Sequence, residues 1–112
     1  MPHHDQVYLQ HIREAASRIR EYVEGIDEAT FKKSHIVQDA VIRQIEIIGE
    51  AAKNLSPNFR NSHPQIPWRD LAGMRDKLIH GYFGVDLDRV WITAQEEIPA
   101  VDSQIAALLA NK

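Results

Sequence analysis

The stretch from Arg75 to Tyr82, RDKLIHGY, sets an arginine, a histidine and a tyrosine within one short segment. An imidazole can move a proton near neutral pH. A guanidinium stays charged, and its rigid fork matches phosphate oxygens. Together they supply a proton carrier and an anion stabiliser, the minimum for breaking a phosphodiester without a metal. In RNA the nucleophile would be the ribose 2′-hydroxyl, which loses a proton as it attacks, while the leaving 5′-oxygen gains one. His80 is the candidate for one or both transfers, and Arg75 for stabilising charge on the phosphate oxygens. Tyr82 could stack on a base or hydrogen-bond a phosphate. DNA, which lacks that hydroxyl, should be a poor substrate.

Spacing alone leaves blander readings open. On an ideal helix Arg75 and Tyr82 share a face, and Asp76 and His80 share another, where the carboxylate could hold the ring and favour its charged form. Arg75 and His80 diverge by about 140° around such a helix. One copy therefore makes a loose site, and a twofold dimer would bring two arginines and two histidines into one groove. A histidine near a helix end also interacts favourably with the helix dipole. Arg75 could equally be an ion-pairing surface residue, and Tyr82, before Phe83, a core aromatic with its hydroxyl at the edge.

Charge distribution says more than the net value of −3. Residues 1–52 carry 6 Lys/Arg against 9 Asp/Glu, and residues 81–112 carry 2 against 5. Residues 53–80 carry 5 against 2, from Lys53, Arg60, Arg69, Arg75 and Lys77 over Asp70 and Asp76. The only net-positive segment thus leads into the Arg–His motif, and Arg69 and Lys77 are candidates for holding RNA phosphates. A hydrophobic share of 44% over 112 residues supports one globular domain spanning 1–112 and argues against disorder. There is no cysteine, so disulfides and thiolate metal sites are excluded. No apolar run approaches a membrane span, and MPHHDQVYLQ lacks the layout of a secretory signal, so the expectation is a cytoplasmic protein without a membrane role.

Helical periodicity runs through the elements that must position the motif. Tyr8, Ile12, Ala15, Ile19, Tyr22 and Ile26 predict an amphipathic helix from about Asp5 to Glu24, stopped by Gly25. A second helix is expected from Phe31 or Ser34 to Asn54. Val37, Val41, Gln44, Ile48, Ala51 and Leu55 form its stripe, and Ile42, Ile45 and Gly49 a second apolar flank. Only a narrow polar line remains, through Asp39, Arg43, Glu46, Glu50 and Lys53, so this helix needs cover on two sides. Gly49 there predicts close backbone approach at a packed crossing. Residues 55–67, with three prolines, read as loop, and Pro67 as the opening of the next helix. Trp68, Leu71, Met74 and Leu78 carry a stripe up to the motif, which Gly81 and Gly84 break. The last pattern, from Leu87 through Val90, Trp91, Ala94, Ile98, Val101, Ile105 and Leu108, contains Pro99, which predicts a kink without loss of register. The fold class is therefore all-α: an up-down bundle of four main helices with a short turn or helix near 27–33.

The segments QDAVIRQIEIIGEAAKNL (38–55) and IPWRDLAGMRDKLIHGYFGVDLDRVW (66–91), followed by the helix through Ile98 and Pro99, resemble the HEPN superfamily. The closer likeness is to its HepT-like branch, the toxin half of HepT/MntA toxin–antitoxin pairs. The resemblance implies a HEPN-like bundle and a metal-independent endoribonuclease, needing no cofactor, that acts as a homodimer with its site in the dimer cleft. It implies Arg75 and His80 as catalytic and Asp76 as the polar residue after the arginine. Tyr82 becomes a target for AMP addition by a partner nucleotidyltransferase antitoxin, within a complex that could exceed a dimer. Many relatives carry a glutamate where this chain has Gly81. Glu50, within the IGEAAK segment, is a candidate to contact Arg75 or line the cleft. His3, His4 and His11 read as an exposed end and not a metal site, His35 as a helix start capped by Ser34, and His63 as surface loop. Two other functions fit the residues: a non-catalytic helical dimer that docks a nucleotidyltransferase or nucleotide, and a purely structural module.

Overall fold

A computed structural model describes residues 3–78 and 84–110, and over them the chain is all-α with no strand. Helix α1 spans His3–Val23 and ends before Gly25, whose φ of 76° lies in the left-handed region that glycine enters without strain. Leu9, Ile12, Ala15, Ala16, Ile19 and Val23 are buried, while Tyr8, Tyr22 and Ile26 are only partly so. The stripe is thus rotated by about one residue from the expected one, because tyrosines keep their hydroxyls at the wet edge.

Helix α2 (Glu28–Lys33) opens on Asp27, whose carboxylate accepts from Thr30 N at 2.8 Å, a bond that holds its pKa below the ordinary value. Helix α3 (His35–Asn54) follows at once, capped by Ser34, whose Oγ accepts from Val37 N at 3.2 Å. Helix α3 packs against α1 on one side and against the elements that carry Arg75 on the other, as its wide apolar face requires.

Residues 55–67 are not all loop. Pro57–Ser62 form helix α4, because Ser56-Pro57 is a capping pair: Ser56 Oγ accepts from Phe59 N at 3.2 Å, and proline suits the first helical position. Ser56 is itself held by the fully buried Asp5, whose two oxygens accept from Ser56 N and Oγ, each at 2.8 Å.

The stripe of Trp68, Leu71, Met74 and Leu78 is buried throughout, but the helix carrying it is not continuous. Helix α5 (Trp68–Ala72) ends at Gly73, and α6 (Met74–Leu78) starts again beyond it. Pro67 stands at the N-cap of α5 and not inside its first turn. Glycine lets α5 press directly on α3: a Cβ at Gly49 would lie 3.2 Å from the carbonyl oxygen of Leu71.

After the motif, α7 (Leu87–Ile92) runs through a π-helical turn, Thr93–Glu97, into α8 (Ile98–Ala110). Pro99 cannot donate to the carbonyl four residues back, and the preceding Ile98 N–H reaches Thr93 O, five residues back. This turn is the form that the expected distortion takes. Val90, Ala94, Ile98, Val101 and Ile105 stay buried, so the apolar register survives. Arg13 Nε donates to Asp102 at 3.0 Å and joins α1 to α8. Lys32 pairs with Asp88, raising the lysine pKa and lowering that of the carboxyl, and so ties α2 to the start of α7. No helix among the described residues is long and apolar enough to cross a membrane.

Gly49→Val tests the α3–α5 approach. Helix propensity alone would favour valine by a few tenths of a kcal/mol. Overpacking against the Leu71 carbonyl should instead destabilise the protein by about 1–3 kcal/mol in denaturant unfolding. Undiminished stability would mean that the crossing is loose.

Candidate active site

The polar line of α3 and the α5–α6 junction enclose a cleft of about 350 Å³. Arg43, Glu46, Glu50 and Lys53 reach it from α3 at helical spacing, and Arg75 and Asp76 from α6, with Gly49 and Ala72 where the helices cross. Three cations therefore face three carboxylates, in a chain whose overall balance is acidic.

Arg75 is anchored in this cleft. Its Nε donates to Glu46 Oε2 at 2.7 Å, a charge-assisted length. Arg75 is 56% exposed and Glu46 30%, so the pair is screened and contributes little to stability. Its consequence is geometric. The nearest Asp76 oxygen lies 3.9 Å from Nη1, too far for a hydrogen bond. One edge of the guanidinium is thus fixed by Glu46, while its terminal nitrogens have no hydrogen-bond partner among the described residues. Such an arginine presents a preset fork to an incoming phosphate.

The other expected site residues are distributed unevenly. Asp76 and Glu50 line the same cleft, but Glu50 lies 3.7 Å from Lys53 and it is Glu46 that holds Arg75. Lys77 pairs with Asp70 at 3.2 Å, in a separate depression with Arg89 and Glu97. Arg69 lines a larger cleft with Arg60. His80, Gly81 and Tyr82 lie outside the described residues. Among the described residues on either side, Asp86 N donates to Leu78 O at 2.9 Å. Of the other histidines, His35 starts α3, His11 packs edge-on against Tyr8, and His63 lies tilted against Phe59 with ring centroids 4.6 Å apart. Trp68 is core, and its indole N–H donates to the His63 carbonyl at 2.9 Å. Among the described residues no three His, Asp or Glu side chains gather as metal ligands would.

Glu46 is the residue that sequence reasoning missed. The available signal was its place on the polar line, one turn before Glu50.

The chain matches the family described as Ribonuclease HepT-like over residues 12–108. A protein of Thermococcus cleftensis named "Probable ribonuclease HepT" is 48% identical over 101 residues, covering 90% of this chain and 92% of that one. A protein of Caldanaerobacter subterraneus subsp. tengcongensis, whose name provisionally assigns it as an RNase, is 45% identical over 105 residues, or 94% of each chain. Another so named, from Methanocaldococcus jannaschii, is 39% identical over 112 residues, covering 99% of this chain and 93% of that one. No solved structure matches. The chain belongs to the HepT-like ribonuclease family, of HEPN type.

If Glu46 positions Arg75, Glu46→Ala should lower kcat for RNA cleavage at least about tenfold with KM nearly unchanged, and Glu46→Gln should restore most of it. A change confined to KM would show that the carboxylate competes with phosphate and does not orient the arginine.

Proposed function

We propose that this protein is a metal-independent endoribonuclease, the toxin half of a toxin–antitoxin pair, working in the cytoplasm as a homodimer. The observation that carries the reading is Arg75, held at Nε by Glu46 on the lining of a polar cleft, in a member of a ribonuclease family. The ribose 2′-oxygen attacks phosphorus and gives up its proton to a base. The phosphorus–O5′ bond breaks, and the 5′-oxygen receives a proton. His80 serves as acid, base or both, and Arg75 stabilises the charge on the phosphoryl oxygens. Two copies bring two such pairs into one groove. The partner is a nucleotidyltransferase antitoxin, bound to the dimer in a larger assembly. It silences the site by attaching AMP to Tyr82: the phenol oxygen attacks the α-phosphorus of ATP and pyrophosphate leaves. Added negative charge and bulk then exclude RNA.

Gly81, a departure from the glutamate that the family resemblance implies, leaves open a second reading, in which the dimer docks the nucleotidyltransferase or binds nucleotide without cutting.

Purified protein should cleave RNA in excess EDTA, and His80→Ala should reduce the rate at least about 100-fold. Cleavage that requires added metal, or that survives the substitution, refutes the mechanism. Expression of the wild-type chain alone should arrest growth. Harmless expression together with tight nucleotidyltransferase binding selects the second reading. With the antitoxin and ATP present, wild-type protein should gain AMP mass and lose activity, and Tyr82→Phe should do neither. Modification of the phenylalanine variant would place the acceptor elsewhere.

A further inference from the structure

A second cleft lies away from Glu46, between α4 and α5. It measures about 440 Å³, and Arg60, Asn61, Arg69 and the prolines 57, 64 and 67 line it. Neither arginine forms an ion pair among the described residues, and the Nε of Arg60 is buried without a hydrogen-bond partner. A buried guanidinium N–H is rarely left unsatisfied without a reason. The one carboxylate on the rim, Asp70, lies against Lys77, so the cleft retains positive charge. Its walls are preset: the prolines fix their own φ angles, and Ser56 and the buried Asp5 pin the start of α4.

We propose that the Arg60–Arg69 cleft is a second phosphate site, which holds the RNA backbone at a distance from the scissile bond. Its position supports this use. Arg69 lies on α5, which leads through Gly73 directly into α6 and Arg75, so two phosphate-facing arginines ride on adjoining turns packed against α3. Two forked cations, with the one aromatic on the lining, Trp68, only 5% exposed, suit a sugar–phosphate strand better than a base, so the site adds affinity without sequence preference. The inference rests on the ribonuclease reading for the identity of its ligand.

The test is binding of a fluorescent, fully 2′-O-methylated RNA of about a dozen nucleotides, a length on the scale of single-strand binding sites and unable to react by 2′-attack. The full-length proteins to compare are wild type, Arg60→Gln, Arg69→Gln and, as a control for charge alone, Lys33→Gln on the exposed face of α2. Arg69 is exposed, so its substitution should fold even if that of Arg60 does not. Each arginine variant should weaken Kd about five- to tenfold and lower the slope of log K against log salt by about one, while the control matches wild type. Arginine variants that bind like wild type, or a control that weakens equally, overturn the second site and leave the ribonuclease reading standing. A wild-type protein that binds no RNA overturns both.

Discussion

The site depends on two helices approaching where one of them has no side chain. At Gly49 the backbone of α3 meets the last turn of α5, close enough that a Cβ would press on the Leu71 carbonyl at 3.2 Å. One residue past Ala72 the helix breaks at Gly73 and restarts, and Arg75 then falls opposite Glu46. A bulkier residue at position 49 would push α5 outward and take the arginine with it. Packing and electrostatics are therefore one problem here, since the distance between helix axes decides whether the ion pair can close.

That ion pair is weak as a source of stability and strong as a source of order. Both partners are partly exposed and solvent-screened, so the pair adds little to folding. It nevertheless removes rotamer freedom from a long side chain before a substrate arrives, and it leaves the hydrogen-bonding edge that phosphate needs. The surrounding cleft balances three basic against three acidic groups, so it is locally less acidic than the chain as a whole.

Much of this was legible in the sequence, for reasons that can be stated. Buried stripes with a period near 3.6 are set by one strong term, hydrophobic burial, and α1, α3, and the α7–α8 pattern follow it closely. Ser34 and Gly25 marked helix ends because caps and positive-φ turns have few chemical solutions. Helix α4 is hidden in a proline-rich stretch because proline inside a helix breaks it, whereas Pro57 after Ser56 starts one. The break at Gly73 was hidden because the stripe from Trp68 to Leu78 runs across it without a gap. Glu46 was passed over for Glu50 because both lie on one polar line, and the choice depends on where a different helix lands. Such a tertiary distance has no local signature.

The central claim is that the RNA supplies its own nucleophile, with Arg75 bearing the phosphoryl charge and His80 the proton. The most direct measurement is the chemistry of the ends left by cleavage of a defined RNA, read by mass spectrometry at short times. Attack by the 2′-oxygen predicts a 2′,3′-cyclic phosphate on one fragment and a free 5′-hydroxyl on the other. A 5′-phosphate with a 3′-hydroxyl would mean that water was the nucleophile, and would contradict the account.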